Sequence, residues 1–217
     1  MNMSQQKPDF NLEQKYLVKG LVVGVDEAGR GPWAGPVVAA AVWIDPKLVS
    51  SLPKGIRDSK KLTSAKRDNI HNELLNLNIA VAVGSADVRE IDKYNILNAS
   101  FLAMERALIL LQKKLPYNIG TILVDGNRRP EFNAFGEKKN IIPVIKGDNI
   151  SVSIASASIV AKQIRDSYMS FLDLLHPEYE FHKHKGYGTK AHSNALAKFG
   201  LTCHHRLSFA PIRALKR

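Results

Sequence analysis

The chain has 217 residues, and its 31 Lys and Arg against 20 Asp and Glu give a formal net charge of +11. A single cysteine, Cys203, excludes an intramolecular disulfide framework, and no apolar run approaches the roughly 18 residues that a membrane-spanning helix needs. The cationic surplus points to a polyanionic partner, because neutralising phosphates releases condensed counterions and drives association; the plain alternative is a basic, soluble surface.

Taken in chain order, residues 1–19 form a polar lead-in whose composition allows disorder. They lack the apolar stretch of a secretory signal, so the cytoplasm is the simplest compartment. Leu21-Val22-Val23-Gly24-Val25 is a short apolar run typical of a strand buried on both faces. After a turn rich in Gly and Pro, Val37 to Ile44 reads as a second strand, ended by Asp45-Pro46. Lys54 to Thr63 is a charged loop, and Thr63 or Ser64 caps a helix that reaches Leu77 through Ile70 and Leu74. Ala80 to Gly84 is a third strand. From Val88 to Leu115, Tyr94, Leu97, Phe101, Met104, Leu108, Leu111 and Leu115 recur at spacings of three and four, which predicts one long helix packed on a sheet and stopped by Pro116. Thr121 to Asp125 and Ile141 to Lys146 are the fourth and fifth strands. Ser151 to His176 is helical, and its first half is so rich in Ser and Ala that its backbone can approach a sheet closely. A loop of His, Lys and Gly (Phe181 to Thr189), a short helix to Phe199 closed by Gly200, and a basic tail complete the chain. The pattern predicts an α/β domain over residues 20–217 in which a mixed sheet is covered by helices.

Asp26 and Glu27 close the first strand, Asp125 closes the fourth, and Asp148 follows the fifth. Strand ends in such sheets are where ligand sites form. With the first and fourth strands as neighbours, Asp26 and Asp125 would lie roughly 5 Å apart. Clustered carboxylates raise one another's pKa unless cations lie between them, and hard divalent ions with oxygen ligands, Mg²⁺ or Mn²⁺, suit such a cluster. Two such ions roughly 4 Å apart activate water and stabilise the leaving oxygen of a phosphodiester cleavage. Adjacent strand residues face opposite ways, so Asp26 and Glu27 share a site only where the strand ends, an exit that Gly29 and Gly31 allow. Taken singly, each acid is equally a solvated strand end or turn former; four of them at three strand ends in a basic chain favour a site.

Gly29-Arg30-Gly31-Pro32 directly follows the acid pair. Its glycines bring backbone N–H and C=O groups close to a ligand, and Arg30 can grip a phosphate. The sequence is neither a Walker A loop nor a dinucleotide fingerprint, and a plain tight turn is its bland reading. Asp58-Ser59-Lys60-Lys61 offers two cations and a hydroxyl for phosphate contacts, or is a solvated charge run. Tyr187, between Gly186 and Gly188, stacks on a base or sugar, or anchors its loop. His182, His184, His192, His204 and His205 raise a zinc reading, but with one cysteine and no pair at zinc spacing it finds no support. Cys203 as a nucleophile is supported no better.

Gly24-Val25-Asp26-Glu27-Ala28-Gly29-Arg30-Gly31-Pro32, the run Gly35 to Val42, Asp58-Ser59-Lys60-Lys61-Leu62, Val124-Asp125-Gly126, Lys146-Gly147-Asp148, Ser153 to Ser158, Ala161-Lys162 with Arg165-Asp166, and Gly186-Tyr187-Gly188-Thr189 together resemble bacterial ribonuclease HII, in the family's order from about Leu21 onward. The resemblance implies a ribonuclease H-like α/β fold, a mixed five-stranded sheet flanked by helices with a C-terminal helical extension. It implies Asp26, Glu27, Asp125 and Asp148 as catalytic acids holding two Mg²⁺ or Mn²⁺ ions. It implies a substrate of RNA–DNA hybrid, or duplex DNA containing ribonucleotides, cut 5′ of the ribonucleotide to leave 3′-hydroxyl and 5′-phosphate ends. Gly29, Arg30 and Gly31 would sense the 2′-hydroxyl, Tyr187 would pack on the adjoining deoxyribose, and Ser59, Lys60 and Lys61 would hold phosphates. Ser156 and Trp33 depart from the usual pattern, and residues 1–19 match nothing in it. The rivals are a non-catalytic nucleic-acid-binding protein and another nuclease of the same fold; neither membrane attachment nor an assembly beyond a monomer is required.

Overall fold

The computed structural model of the protein describes residues 7–57, 59–77, 79–136 and 140–216. Asp58, the first six residues of the lead-in and the side chain of Lys61 lie outside the described residues. Strands β1 (Leu21–Ala28), β2 (Val37–Trp43), β3 (Ala80–Ala86), β4 (Ile119–Asp125) and β5 (Asn140–Val144) form one sheet in the order β3-β2-β1-β4-β5. β1, β2 and β3 pair antiparallel, whereas β4 joins β1 and β5 joins β4 in parallel, so the sheet is mixed. A parallel addition needs a crossover, and helix α3 (Val88–Gln112) spans from β3 to β4.

Alternation along the strands divides the core. Val23 and Val25 face Met104, Leu108 and Leu111 of α3, together with Ala39, Ala41 and Ile122. The opposite face of the sheet receives α2 (Ser64–Asn76) and α4 (Val152–Leu175), with Ala40 and Val42 packed among Ile70, Leu74, Ala155 and Ile159. Thr63 caps α2, its hydroxyl accepting from Lys66 N–H, and Ser151 caps α4 by accepting from Ile154 N–H.

The long helix is not continuous. Asn95 has φ 65° and ψ 165°, and its side-chain oxygen accepts from the N–H groups of Leu97 and Asn98, so it caps a second helix inside α3. The break resets the helical phase, which is why Tyr94 is exposed while Met104, Leu108 and Leu111 are buried. A full reciprocal capping box between Asp87 and Glu90 opens the first piece.

Small residues at the start of α4 do bring its backbone onto the sheet. A Cβ on Gly24 would meet Ser153 C at 2.3 Å and Ile154 N at 2.4 Å, and every residue from Val152 to Ala161 is buried. The described part of the lead-in is structured rather than loose. Helix α1 (Asn11–Tyr16) lies against this junction, and Asp9 pairs with Ser151 through Asp9 N–H to Ile150 O and Val152 N–H to Asp9 O. Glu13 is fully buried, and its Oε1 accepts from Ser151 Oγ (2.5 Å), Ser153 N (2.9 Å) and Ser153 Oγ (2.6 Å). It therefore adds a second cap to α4 from a distant part of the chain. Beyond α4, helices α5 (Phe181–His184), α6 (Lys190–Phe199) and α7 (Ala210–Arg213) form a C-terminal extension around Met169, Leu172, Tyr179 and Phe181. Among the described residues, no helix is long and apolar enough to cross a membrane.

Replacing Glu13 by Ala removes the acceptor for three buried donors. Urea unfolding of Glu13→Ala should show a loss of about 2–4 kcal/mol; a loss within error of zero would make α1 a passive passenger.

Candidate active site

β4 stops at Asp125 and pairs with β1 only as far as Val25↔Val124, whereas β1 runs on to Ala28 beside β2. The strand therefore does not exit at Asp26–Glu27, as the glycines after it had implied; the opening comes from β4 ending first. Asp26 shares the α4 side of β1 with Val22 and Gly24, and alternation directs Glu27 to the α3 side. Both carboxyls nevertheless act on one another and on Asp125. Burial first, then the charges of Glu27 and Asp125, push the Asp26 carboxyl well above the usual carboxylate range, against a hydrogen bond from Ser158. Burial also raises Glu27, opposed chiefly by Arg30, whose Nη1 lies 3.3 Å from Glu27 Oε1. Asp125 is raised by burial and held back by backbone N–H groups, among them that of Gly147 at 2.7 Å from Oδ1. Asp148 is buried in the turn Gly147–Asn149, with Asn149 Nδ2 donating to its Oδ1 at 2.6 Å. The turn that carries Asp148 is thus tied directly to Asp125. Among the described residues, no three His, Cys, Asp or Glu side chains are drawn together into a ready-made cation cage.

Lys60 lowers both Glu27 and Asp125, so this loop's cation faces the acids. Ser59 has a different place from the phosphate contact expected of it. It is buried, and its Oγ lies 2.9 Å from Ser158 Oγ, which in turn bonds Asp26. A hydroxyl enclosed in this way buttresses the acid and does not face solvent.

The glycine turn and the Tyr187 loop meet. A Cβ on Gly31 would touch Tyr187 Cε1 at 3.5 Å, and Trp33 N–H donates to Gly186 O at 2.8 Å. Gly29 has φ 100°, and a Cβ there would come within 2.1 Å of Arg165 Nε, so glycine is required twice over. Trp33 covers Gly188, where a Cβ would fall 2.1 Å from its ring. Tyr187 stays partly exposed, 42% accessible, which leaves a ring face for a ligand.

The histidines of the extension build the loop and do not gather a metal. His192 Nδ1 lies 3.0 Å from Tyr187 O, and a carbonyl only accepts, so that nitrogen carries the proton. His192 Nε2 then accepts from His205 Nε2 at 3.0 Å, and His205 Nδ1 accepts from Thr202 N–H. Both rings are neutral in this chain, in keeping with burial pushing each down to about 4. His184 stacks on His192 with centroids 4.6 Å apart, and its Nε2 lies 2.7 Å from Tyr179 O. No sequence pattern marked this relay, because its partners are mostly backbone groups and the histidines themselves. Cys203 is exposed.

The Ribonuclease HII family profile matches residues 23–212. The chain belongs to the ribonuclease HII family. Ribonuclease HII of Wolbachia sp. subsp. Drosophila simulans (strain wRi) is 49% identical over 210 residues, 96% of this chain and 98% of that one. Among solved structures, ribonuclease H2 from Pyrococcus horikoshii OT3 superposes with a TM-score of 0.74 at 25% identity, covering 90% of this chain and 97% of that one. Bst-RNase HIII in complex with Mn²⁺ gives a TM-score of 0.70 at 20% identity, covering 91% of this chain and 70% of that one, a likeness of fold. The protein is a ribonuclease H, with the ribonuclease H-like fold, and the reading of a non-catalytic binder falls away.

The raised Asp26 fixes a sign that can be measured. Its burial penalty is absent below the ordinary carboxylate pKa, grows between that value and the raised folded one, and is complete above it. In EDTA at pH 7, Asp26→Asn should therefore melt higher than wild type by at least about 2 °C, with the gain vanishing as pH falls through 4. A variant that melts lower at pH 7 would show that Asp26 is not under this strain.

Proposed function

We propose that the enzyme cuts the RNA strand of RNA–DNA hybrids and the 5′ side of ribonucleotides embedded in duplex DNA, leaving 3′-hydroxyl and 5′-phosphate ends. The observation that carries this reading is the meeting of Gly31 and Tyr187 beside buried, mutually repelling carboxyls. A 2′-hydroxyl is what separates RNA from DNA at one nucleotide. Backbone at Gly29, Arg30 and Gly31 is placed to sense it, because the two glycines carry no side chain of their own. The ring of Tyr187 packs on the neighbouring deoxyribose and tolerates no hydroxyl there. Together they select a ribonucleotide–deoxyribonucleotide step.

The donor set fits divalent cations. Three carboxyls held above their ordinary range by burial, two of them also by a neighbouring carboxyl, are relieved by a hard cation with oxygen ligands. Asp26, Glu27, Asp125 and Asp148 would hold two Mg²⁺ or Mn²⁺ ions, which when bound supply water activation and stabilise the leaving oxygen. The chain's own groups do the rest. Ser158 orients Asp26, Gly147 N–H orients Asp125, and Lys60 and Lys61 neutralise flanking phosphates without reading sequence. Arg30 releases Glu27 to a cation and turns its guanidinium to phosphate. Every group in this account comes from one chain, so a monomer suffices.

A DNA duplex containing one ribonucleotide, beside an all-DNA control, tests the reading with Mg²⁺ or Mn²⁺ and with EDTA. Metal-dependent cutting 5′ of the ribonucleotide with the control intact is expected, and cutting of both duplexes would discard the 2′-hydroxyl reader. Asp125→Asn should lower kcat by at least about 10³-fold while duplex affinity stays within about threefold; retained turnover would remove Asp125 from the site. Tyr187→Ala should cut the rate at a single ribonucleotide by about 10-fold or more with little change in melting temperature, and an unchanged rate would refute the packing role.

A further inference from the structure

The C-terminal extension reaches the glycine turn through a residue that the function has not yet used. Arg206 is fully buried, and among the described residues no carboxylate is bonded to it. Its Nε donates to Gly35 O at 2.9 Å, Nη1 to Arg30 O at 3.0 Å, and Nη2 to Gly29 O at 2.6 Å and Pro36 O at 3.2 Å. Its own N–H donates to Trp33 O at 2.8 Å. Burial pushes the guanidinium down to about 9, so it remains a cation at neutral pH. A buried cation normally takes an acid as partner, because its desolvation costs several kcal/mol. Here backbone carbonyls of a single loop take that place.

The direction of those carbonyls matters. A peptide unit is planar and trans, so its C=O and N–H point in opposite directions. Carbonyls of Gly29 and Arg30 turned inward to Arg206 therefore aim the N–H groups of Arg30 and Gly31 away from it. Gly31 is the glycine that meets the ring of Tyr187. A second buried guanidinium extends the link: Arg165 donates from Nε to Pro36 O at 3.1 Å, from Nη2 to Ala34 O at 3.2 Å, and from Nη1 to Lys185 O at 3.1 Å. Lys185 lies two residues before Tyr187, so one cation spans both loops.

We infer that Arg206 is a positioning residue for ribonucleotide recognition, which holds the Gly29 and Arg30 carbonyls so that the next two N–H groups face the substrate's 2′-hydroxyl, with Arg165 keeping the Tyr187 loop in register. The inference rests on the junction reading proposed above. Only a planar fork with several fixed donors can hold four carbonyls at once; a lysine keeps the charge but has three donors at one point.

The test is Arg206→Lys in the full chain, with wild type alongside, on a duplex carrying one ribonucleotide and on an all-DNA duplex of the same sequence. Melting temperature establishes folding, steady-state kinetics give kcat and KM, and binding in Ca²⁺ gives the affinity ratio of the two duplexes. The folded variant should lose about tenfold or more in kcat at the ribonucleotide, with KM within about twofold. Its preference for the ribonucleotide duplex in Ca²⁺ should fall toward one. A folded Arg206→Lys with wild-type kcat and preference overturns the role of Arg206 and leaves the junction reading standing. Wild type that does not cut at the ribonucleotide overturns the junction reading itself, and the inference with it. Should Arg206→Lys fail to fold, Arg165→Lys carries the test with the same measurements, the same loss expected through Pro36 and Lys185, and unchanged values again overturning the assignment.

Discussion

At Gly24 the backbone of α4 lies so close to β1 that a Cβ would meet Ser153 C at 2.3 Å, and the placement of the acids follows from that contact. From Ser153 to Ser158 the helix rises about 7.5 Å, and from Gly24 to Asp26 the strand advances about 6.7 Å. Further along the same helix, Ser158 bonds Asp26. The start of the same helix sets the other side of the site. Ser151 caps it, Gly147 N–H reaches Asp125, and Asp148 sits in the intervening turn. Glu13 fixes this start from outside by accepting from both serines. A helix with larger residues at 153–158 would stand off the sheet and separate the acids from the groups that orient them.

The same contact explains the electrostatics. Packing α4 onto the strand ends strips water from Asp26, which is why burial outranks the neighbouring charges among the causes of its shift. Asp125 is half-buried, and backbone N–H groups offset part of the cost. Glu27 has cations to answer its burial, Arg30 and Lys60. The acids are thus graded in how far the protein itself stabilises their charge, and Asp26 is the one left most in need of a cation.

Much of this was legible in the sequence, and the exceptions have physical reasons. Buried strands announce themselves by continuous apolar runs, and all five lie within a few residues of their predicted bounds. The small-residue run of α4 announced a close approach, although its target, Gly24, follows only from the register. The break at Asn95 was missed because the apolar spacing runs through it; a side-chain cap inside a helix leaves no mark on periodicity. The lead-in looked structureless because its tie to the core is one buried carboxylate and a backbone bridge. Ser59 was expected to contact phosphate because a hydroxyl beside two lysines reads as polar surface, and its burial against Ser158 follows only from the fold. The scaffold of the proposed reader was invisible for a related reason: Arg165 and Arg206 act on backbone carbonyls, and His192 and His205 on backbone groups, a hydroxyl and each other, none of which a sequence marks.

That scaffold is also consistent with the charge of the molecule. An acid placed beneath the glycine turn would neutralise a buried arginine more simply, but it would put negative potential next to the loop proposed to meet phosphate. Carbonyls satisfy the hydrogen-bonding demand of Arg206 and Arg165 without cancelling their charge. Two cations behind the loop then add to the field that a phosphate backbone meets, and buried charges are screened by salt less than exposed ones. The histidine relay is neutral and adds order without charge. Geometry and positive charge at the glycine turn are in this way supplied by the same guanidinium groups.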